Sequence, residues 1–278
     1  MKPLDLSIIA PAHDEQGNIV GLVEDVRAGL ARTGLRFEMI LVDDASTDGT
    51  RTEIAEQVAR YSWVRGRSLS HRPDGRGHGQ SAAFREGILA ARSPLVAFID
   101  ADRQNEPADL PEMIRLLRER RTDMVQGDRS ANRRDSWIRR VASWVGRSFR
   151  RMVLGDTIRD TGCSIRVLRR EIALELPLEY RGMHRFIPFY VRTMGYDVVE
   201  MPVRHRPRVL GSTKYGTFER AVQGLRDLLA VRWMRSRIRR PVASPIVAAR
   251  ANASVRSRSP APRRRDRLPR TAASRRSD

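Results

Sequence analysis

Two carboxylates stand two positions apart in Phe98-Ile99-Asp100-Ala101-Asp102-Arg103-Gln104. On an extended chain such side chains point the same way. Asp100 and Asp102 therefore crowd like charges together unless a cation lies between them. Carboxylate oxygens suit hard Mg2+ or Mn2+, and two protein ligands leave coordination positions open for phosphate oxygens. Gln104 is placed to add a polar contact to the same ion. The bland alternative is a solvated acidic turn. The apolar run Leu95-Val96-Ala97-Phe98-Ile99 argues against it, because a buried strand delivers the pair to a strand end.

Two further polar clusters follow apolar runs. Pro11-Ala12-His13-Asp14-Glu15 follows Leu6 to Ala10, and Asp43-Asp44-Ala45-Ser46-Thr47-Asp48 follows Met39 to Val42. Either alone is compatible with an ordinary turn capped by Asp or Ser. Three such clusters on successive buried strands predict one ligand site, because open α/β sheets bind ligands at the carboxyl ends of their strands.

The elements that must carry these clusters alternate. A strand over Leu6 to Ala10 precedes a helix with Ile19, Leu22, Val23, Val26 and Leu30 at helical spacing. The run Met39-Ile40-Leu41-Val42 reads as a parallel strand buried on both faces. A second helix carries Ile54, Ala55, Val58 and Ala59. A short strand near Val64 to Leu69 leads to the glycine-rich loop Asp74 to Gly79 and a helix over Gln80 to Ala91. Pro107 suits a helix first turn, continued by Leu110, Met113, Ile114 and Leu117. Beyond this the pattern is less regular: helices over Arg139 to Leu154, Arg169 to Leu176 and Arg185 to Met194, then a strand over Tyr196 to Val203. The β-α alternation predicts an α/β fold with a mostly parallel sheet flanked by helices.

The chain has 278 residues, 40% of them hydrophobic, enough for a full core. Its one cysteine, Cys163, excludes an internal disulfide and a zinc cluster. Of the net charge of +20, half comes from twelve arginines against two acids in Arg239 to Asp278. A second basic excess, eight arginines and one acid, runs from Arg129 to Arg151. Charge alone is compatible with an anionic membrane or with nucleic acid. The Arg/Ser-rich tail lacks an aromatic platform, so no nucleic-acid partner is expected. No apolar run approaches the roughly 20 residues of a transmembrane helix. Phe218, Ala221, Val222, Leu225, Leu228, Leu229 and Trp233 recur at helical spacing among arginines, as in an interfacial amphipathic helix. The expected organisation is a catalytic domain over 1–217, this amphipathic helix over 218–240 and a disordered basic tail over 241–278. A peripheral position on the cytoplasmic face of a membrane follows as the expected location.

The string Ile8-Ile9-Ala10-Pro11-Ala12-His13-Asp14-Glu15 resembles the opening motif of family 2 glycosyltransferases with the GT-A fold. Leu41 to Thr50 is similar to their second motif. Asp100-Ala101-Asp102-Arg103-Gln104 resembles the metal motif of their dolichyl-phosphate mannose synthase branch, and His205 to Gly216 resembles that branch's late Arg-x-x-Gly-x-Ser-Lys segment. His13, Asp14 and Thr213 depart from the usual Tyr, Asn and Ser. The resemblance covers about Leu4 to Met234 and implies a Rossmann-like GT-A sheet.

It also implies roles. Pro11, Ala12 and Glu15 line the nucleoside pocket, and Asp43 or Asp44 accepts from the base or ribose. Asp100 and Asp102, assisted by Gln104, hold Mg2+ or Mn2+ on the diphosphate, and Arg208 and Lys214 bind that diphosphate. The implied reaction is inverting transfer of a sugar from GDP-mannose or a UDP-sugar to a polyprenyl or dolichyl phosphate. Such an acceptor, with a second pKa of about 6, is already largely anionic and needs positive charge more than a general base. Arg129, Arg133 and Arg139 can supply it, since arginine binds phosphate bidentately. The alternative is a hydroxyl acceptor on a polysaccharide, with Asp160 as general base.

Overall fold

The computed structural model describes residues 3–130, 146, 148–207 and 217–238, the side chains of 217–222 excepted. Of the chain's two compact units, Met1–Ile238 contains all of these residues, and Arg239–Asp278 lies outside them. The expected tail and Arg133, Arg139, Arg208 and Lys214 are likewise outside.

The first half follows the alternation read from the sequence. Strand β1 (Leu6–Ala12) is followed by α1 (Ile19–Leu30), β2 (Phe37–Asp43), α2 (Thr50–Arg60), β3 (Val64–Ser68), α3 (Gln80–Ala90) and β4 (Leu95–Phe98). A 3-10 turn over Pro107–Asp109 leads into α4 (Leu110–Arg120). Then come β5 (Met124–Asp128), β6 (Arg166–Arg169), α5 (Arg170–Leu174), α6 (Ile187–Thr193), β7 (Val198–Pro202) and α7 (Thr217–Arg237). The seven strands form one sheet in the order β3-β2-β1-β4-β6-β5-β7. All pairings are parallel except those of β6, which runs antiparallel to both β4 and β5.

Period-2 alternation splits the core into two layers. Ile8, Ala10 and Leu41 face one cluster with the apolar stripes of α1 and α4, while Ile9, Ile40, Val42 and Phe98 face another with α3, α5 and α6. The five apolar positions expected to face inward on α1 are its five buried residues. α3 lies so close to β1 that a Cβ on Gly87 would stand 2.2 Å from Ile9 Cγ2.

Several expectations are corrected. On α2, Ile54 is buried as expected, but Ala55, Val58 and Ala59 are exposed, and Thr50 and Gln57 are buried in their place. This helix covers the edge strand β3, four of whose five residues are not buried, so little apolar surface is available to it. The expected helix over Arg169 to Leu176 begins one residue later, because Arg166–Arg169 pairs as β6. β5 was not expected at all. Of the helix expected over Arg139 to Leu154, residues 148–154 are described and helical.

The expected amphipathic helix exists as α7 and has two faces. Leu228 and Val231 are buried in the second core cluster, with Met234 packed against it. Arg235 Nη1 donates to the Leu154 carbonyl at 2.5 Å. Leu225, Leu229 and Trp233 are exposed. No described helix is long and apolar enough to cross a membrane.

Candidate active site

The three polar clusters meet at the carboxyl ends of β1, β2 and β4, adjacent strands in the sheet. The first two are stitched together. Asp14 N–H donates to Ser46 Oγ, Thr47 N–H donates to Asp14 Oδ1, and Glu15 N–H donates to Thr50 Oγ1. Each strand end turns through a non-glycine residue with positive φ: Asp14 at 52°, Ala45 at 57° and Arg103 at 60°. Left-handed conformations at such residues cost about 1–3 kcal/mol each and persist where surrounding structure holds them. Three at one sheet end mark a place where backbone direction matters more than local stability.

These turns enclose a cavity of about 250 Å3 lined by Pro11, Ala12, His13, Glu15, Asp44, Gln80, Asp100, Ala101 and Asp102. The structure thus gathers six of the expected residues: Pro11, Ala12, Glu15, Asp44, Asp100 and Asp102. Asp43 is not among the lining residues. Its carboxylate accepts from Ser46 N–H at 3.0 Å and Ser68 Oγ at 3.1 Å, which ties it into the turn after β2. Gln104 is also outside the lining. Its backbone N–H donates to Asp102 Oδ1 at 3.1 Å, and its side-chain nitrogen lies 3.5 Å from His205 Nε2.

Asp44 is held by the glycine-rich loop. His78 N–H donates to Oδ1 and Gly79 N–H to Oδ2, both at 2.7 Å. A Cβ on Gly77 would stand 2.6 Å from the Asp44 carbonyl oxygen, so only glycine lets the loop come this close. Asp100 is held by neutral donors as well. Gln80 Nε2 donates to Oδ1 at 2.7 Å and Ser164 Oγ to Oδ2 at 2.6 Å, while Asp100 N–H donates to Asn105 Oδ1. Burial, and then the neighbouring Asp102, push the Asp100 carboxyl above the ordinary carboxylate range. The expectation that Asp100 and Asp102 lie on an extended segment is corrected: β4 ends at Phe98, and it is the turn through Arg103 that brings both to one cavity.

Sequence reasoning did not nominate Gln80 or Ser164, and it gave no role to His13 or His205, which stand in its motifs. Gln80 opens α3 directly after the glycine loop, a position from which a helix start can reach a neighbouring strand end. His13 Nδ1 contacts the Asp44 carbonyl oxygen at 2.8 Å. His205 reaches the Asp102 turn through an isolated bridge to Asn105. Arg206 strengthens that approach with ion pairs to Glu106 at 2.5 Å and Asp25 at 3.2 Å.

Two acids with polar neighbours in one cavity form an oxygen donor set that fits a hard divalent cation. Among the described residues no group of three or more His, Cys, Asp or Glu could hold a metal ion. A cation here would therefore complete its shell with ligand oxygens or water.

Beside this site Arg129 Nε and Nη2 grip Asp160 Oδ2 and Oδ1 at 2.8 and 3.1 Å, both side chains being nearly buried. Cys163 is buried, and desolvation raises its thiol to about 12, so it is no nucleophile at neutral pH.

The family model described as Glycosyl transferase family 2 matches residues 7–176. The chain is 36% identical over 234 residues to a dodecaprenyl-phosphate galacturonate synthase of Rhizobium johnstonii, covering 83% of this chain and 67% of that one. It is 32% identical over 211 residues to an undecaprenyl-phosphate 4-deoxy-4-formamido-L-arabinose transferase of Aeromonas hydrophila, covering 76% and 63%. The chain thus spans about two thirds of the length of these relatives. Among solved structures, glucosyl-3-phosphoglycerate synthase from Mycobacterium tuberculosis, in complex with Mn2+, UDP-glucose and phosphoglyceric acid, aligns with a TM-score of 0.59. The identity is 20%, over 85% of this chain and 81% of that one, a likeness of fold.

Proposed function

The chain belongs to glycosyltransferase family 2, and from that membership we propose that it transfers a sugar from a nucleoside diphosphate to a polyprenyl phosphate. The observation that carries this reading is the convergence of Asp44, Asp100 and Asp102 on one cavity at adjacent strand ends. The names of the relatives supply the acceptor class, since both act with a polyprenyl phosphate.

In this reading Pro11, Ala12, Glu15 and Asp44 receive the nucleoside, with Asp44 aimed by the His78 and Gly79 amides. Asp100 and Asp102 would hold Mg2+ or Mn2+. The cation supplies charge neutralisation on the diphosphate as the sugar departs. Gln80 and Ser164 fix the Asp100 carboxylate. Gln104 and His205 lie at the Asp102 turn and complete its polar wall. Arg208 and Lys214 lie outside the described residues and are assigned to the leaving phosphate on the family resemblance alone. Fixed positive charge aimed at developing negative charge is a major source of rate enhancement. Attack by the acceptor phosphate from the opposite face inverts the anomeric centre.

The acceptor needs a cationic cradle, which Arg129, Arg133 and Arg139 are proposed to provide. The bidentate grip of Arg129 on Asp160 favours this over a hydroxyl acceptor, because a carboxylate held by guanidinium is a weakened general base. The exposed Leu225, Leu229 and Trp233 of α7, flanked by Arg226 and Arg232, would meet the surface of the membrane that holds the lipid, as a peripheral contact.

The test is transfer of radiolabelled sugar into an organic-extractable polyprenyl phosphate with Mn2+. Donors would be GDP-mannose, UDP-glucose and UDP-linked uronic acids and amino sugars, and free sugars would serve as competing acceptors. Labelled lipid from one donor, undiminished by free sugars, is the expected result. No labelled lipid from any donor, or preferential labelling of the free sugars, would sink the reading.

A further inference from the structure

Arg166 is an unusual occupant of a sheet interior. It lies in β6, opposite Phe98 of β4 and Gln126 of β5, and is 3% exposed. A buried guanidinium normally meets a carboxylate. Among the described residues Arg166 makes no ion pair. Its three recorded hydrogen bonds all go to backbone carbonyls: Nε to Ser164 at 3.1 Å, Nη2 to Cys163 at 2.6 Å and Nη1 to His184 at 3.1 Å. Burial lowers its pKa to about 10, so it keeps its charge at neutral pH.

The two carbonyls of Cys163 and Ser164 belong to a short segment with work at both ends. At one end Asp160 holds Arg129. At the other Ser164 Oγ donates to Asp100 Oδ2 at 2.6 Å and lies 2.9 Å from Asn105 Oδ1. Gln126 Nε2 also donates to the Cys163 carbonyl, at 2.8 Å. The His184 carbonyl comes from a separate turn, Met183–Phe186, anchored to Ser81 of α3 by a 3.1 Å bond from its own N–H. One guanidinium therefore joins the segment that carries Ser164 to the turn that braces α3, and α3 carries Gln80, the other donor to Asp100.

We propose that Arg166 is a positioning residue: by tying the Cys163, Ser164 and His184 carbonyls together it keeps Ser164 Oγ on Asp100 Oδ2 and so sets how Asp100 faces a divalent cation. The inference rests on the reading of Asp100 and Asp102 as a cation site. Hydrogen-bonding partners of metal ligands orient those ligands, and their loss costs about 10–100-fold in metal affinity or activity.

The experiment measures Mn2+ affinity of the full chain, metal alone, from the electron paramagnetic resonance signal of free Mn2+. It compares wild type with Arg166→Met, Arg166→Lys, Ser164→Ala and the Arg166→Met/Ser164→Ala double variant, and thermal melts report folding. Arg166→Met and Ser164→Ala should each weaken binding about 10-fold. The double variant should lose little more than either single one, because both act through the same contact. Arg166→Lys, which keeps charge and donors, should fall between wild type and Arg166→Met. Wild-type affinity in a folded Arg166→Met, or losses that multiply in the double variant, would overturn the inference. If Arg166→Met does not fold, wild-type affinity in Ser164→Ala overturns it equally. Asp102→Ala separates the two readings: if it binds Mn2+ as wild type does, the cation site itself is wrong, whatever Arg166 does.

Discussion

The acids on the two sides of the sheet's carboxyl end are held in opposite ways. Asp44 and Asp100, at the ends of β2 and β4, are held by neutral donors: backbone amides of His78 and Gly79 for the first, Gln80 and Ser164 for the second. After β5 two buried acids are met by arginine. Asp160 takes Arg129 bidentately, and Asp156, fully buried, takes Arg150 at 3.0 Å. In a chain of +20 this division is not a shortage of arginine on one side. Neutral donors fix the direction of a carboxylate without cancelling its charge, which leaves it to an incoming cation. Guanidinium cancels the charge and leaves a structural clamp. The carboxylates of the first group should therefore matter for chemistry, and those of the second for stability.

The largest expected effect tests the first half of that statement. Asp102→Ala should lower the transfer rate by about 10³-fold, on the scale of losing a preorganised electrostatic partner of the transition state, while leaving the melting temperature nearly unchanged. Rate assays beside thermal melts decide it. A variant that lost stability but kept its rate would move Asp102 into the structural group.

The second prediction breaks the clamp. Arg129→Ala removes the bidentate guanidinium from the nearly buried Asp160 carboxylate, and breaking a buried pair costs about 3–5 kcal/mol. Denaturant titration should show that loss. The same titration of Asp44→Asn should show less, because a neutral amide replaces a charge that no guanidinium among the described residues opposes. Equal losses would dissolve the contrast between the two groups.

A third prediction concerns the cation. Mn2+ with a matching nucleoside diphosphate should raise the melting temperature of wild type and of Asp160→Asn by similar increments, and of Asp102→Ala hardly at all. A ligand that binds only the native state stabilises it by RT ln(1 + [L]/Kd), about 2.7 kcal/mol at a hundredfold excess over Kd. An increment that vanished in Asp160→Asn would put the clamp inside the donor site.

Much of the neutral group was legible from sequence, and little of the clamped one. Parallel strands buried on both faces leave continuous apolar runs, and Met39 to Val42 or Leu95 to Ile99 stop abruptly at acids. β5 and β6 carry Gln126, Asp128 and Arg166 into the interior, which breaks the pattern that marks a strand. The turns at Asp14, Ala45 and Arg103 carry no glycine to announce a positive φ. Gln80 and Ser164 reach Asp100 across 20 and 64 residues of chain, and no local spacing records such a contact.

The smallest expected effect comes from a base at the junction of the two groups. His184 Nδ1 lies 2.9 Å from Ser81 Oγ, its N–H donates to the same hydroxyl oxygen, and its carbonyl receives Arg166. The hydroxyl and Nδ1 share one hydrogen bond, which a neutral imidazole can make in either tautomer. Burial, reinforced by the positive charges of Arg185 and Arg166, lowers its pKa from 6.5 to about 3. The unfolded chain then binds a proton that the folded chain refuses between those two values. Stability from this residue is intact above pH 6.5 and declines as pH falls toward 3. His184→Gln removes the titration and should flatten that part of the stability curve, in denaturant melts at pH 7, 5.5 and 4.5, with no change in its slope above pH 7. If wild type and variant lose stability in parallel on acidification, the junction is not held by a neutral imidazole, and the link it makes between α3 and Arg166 is weaker than its distances indicate.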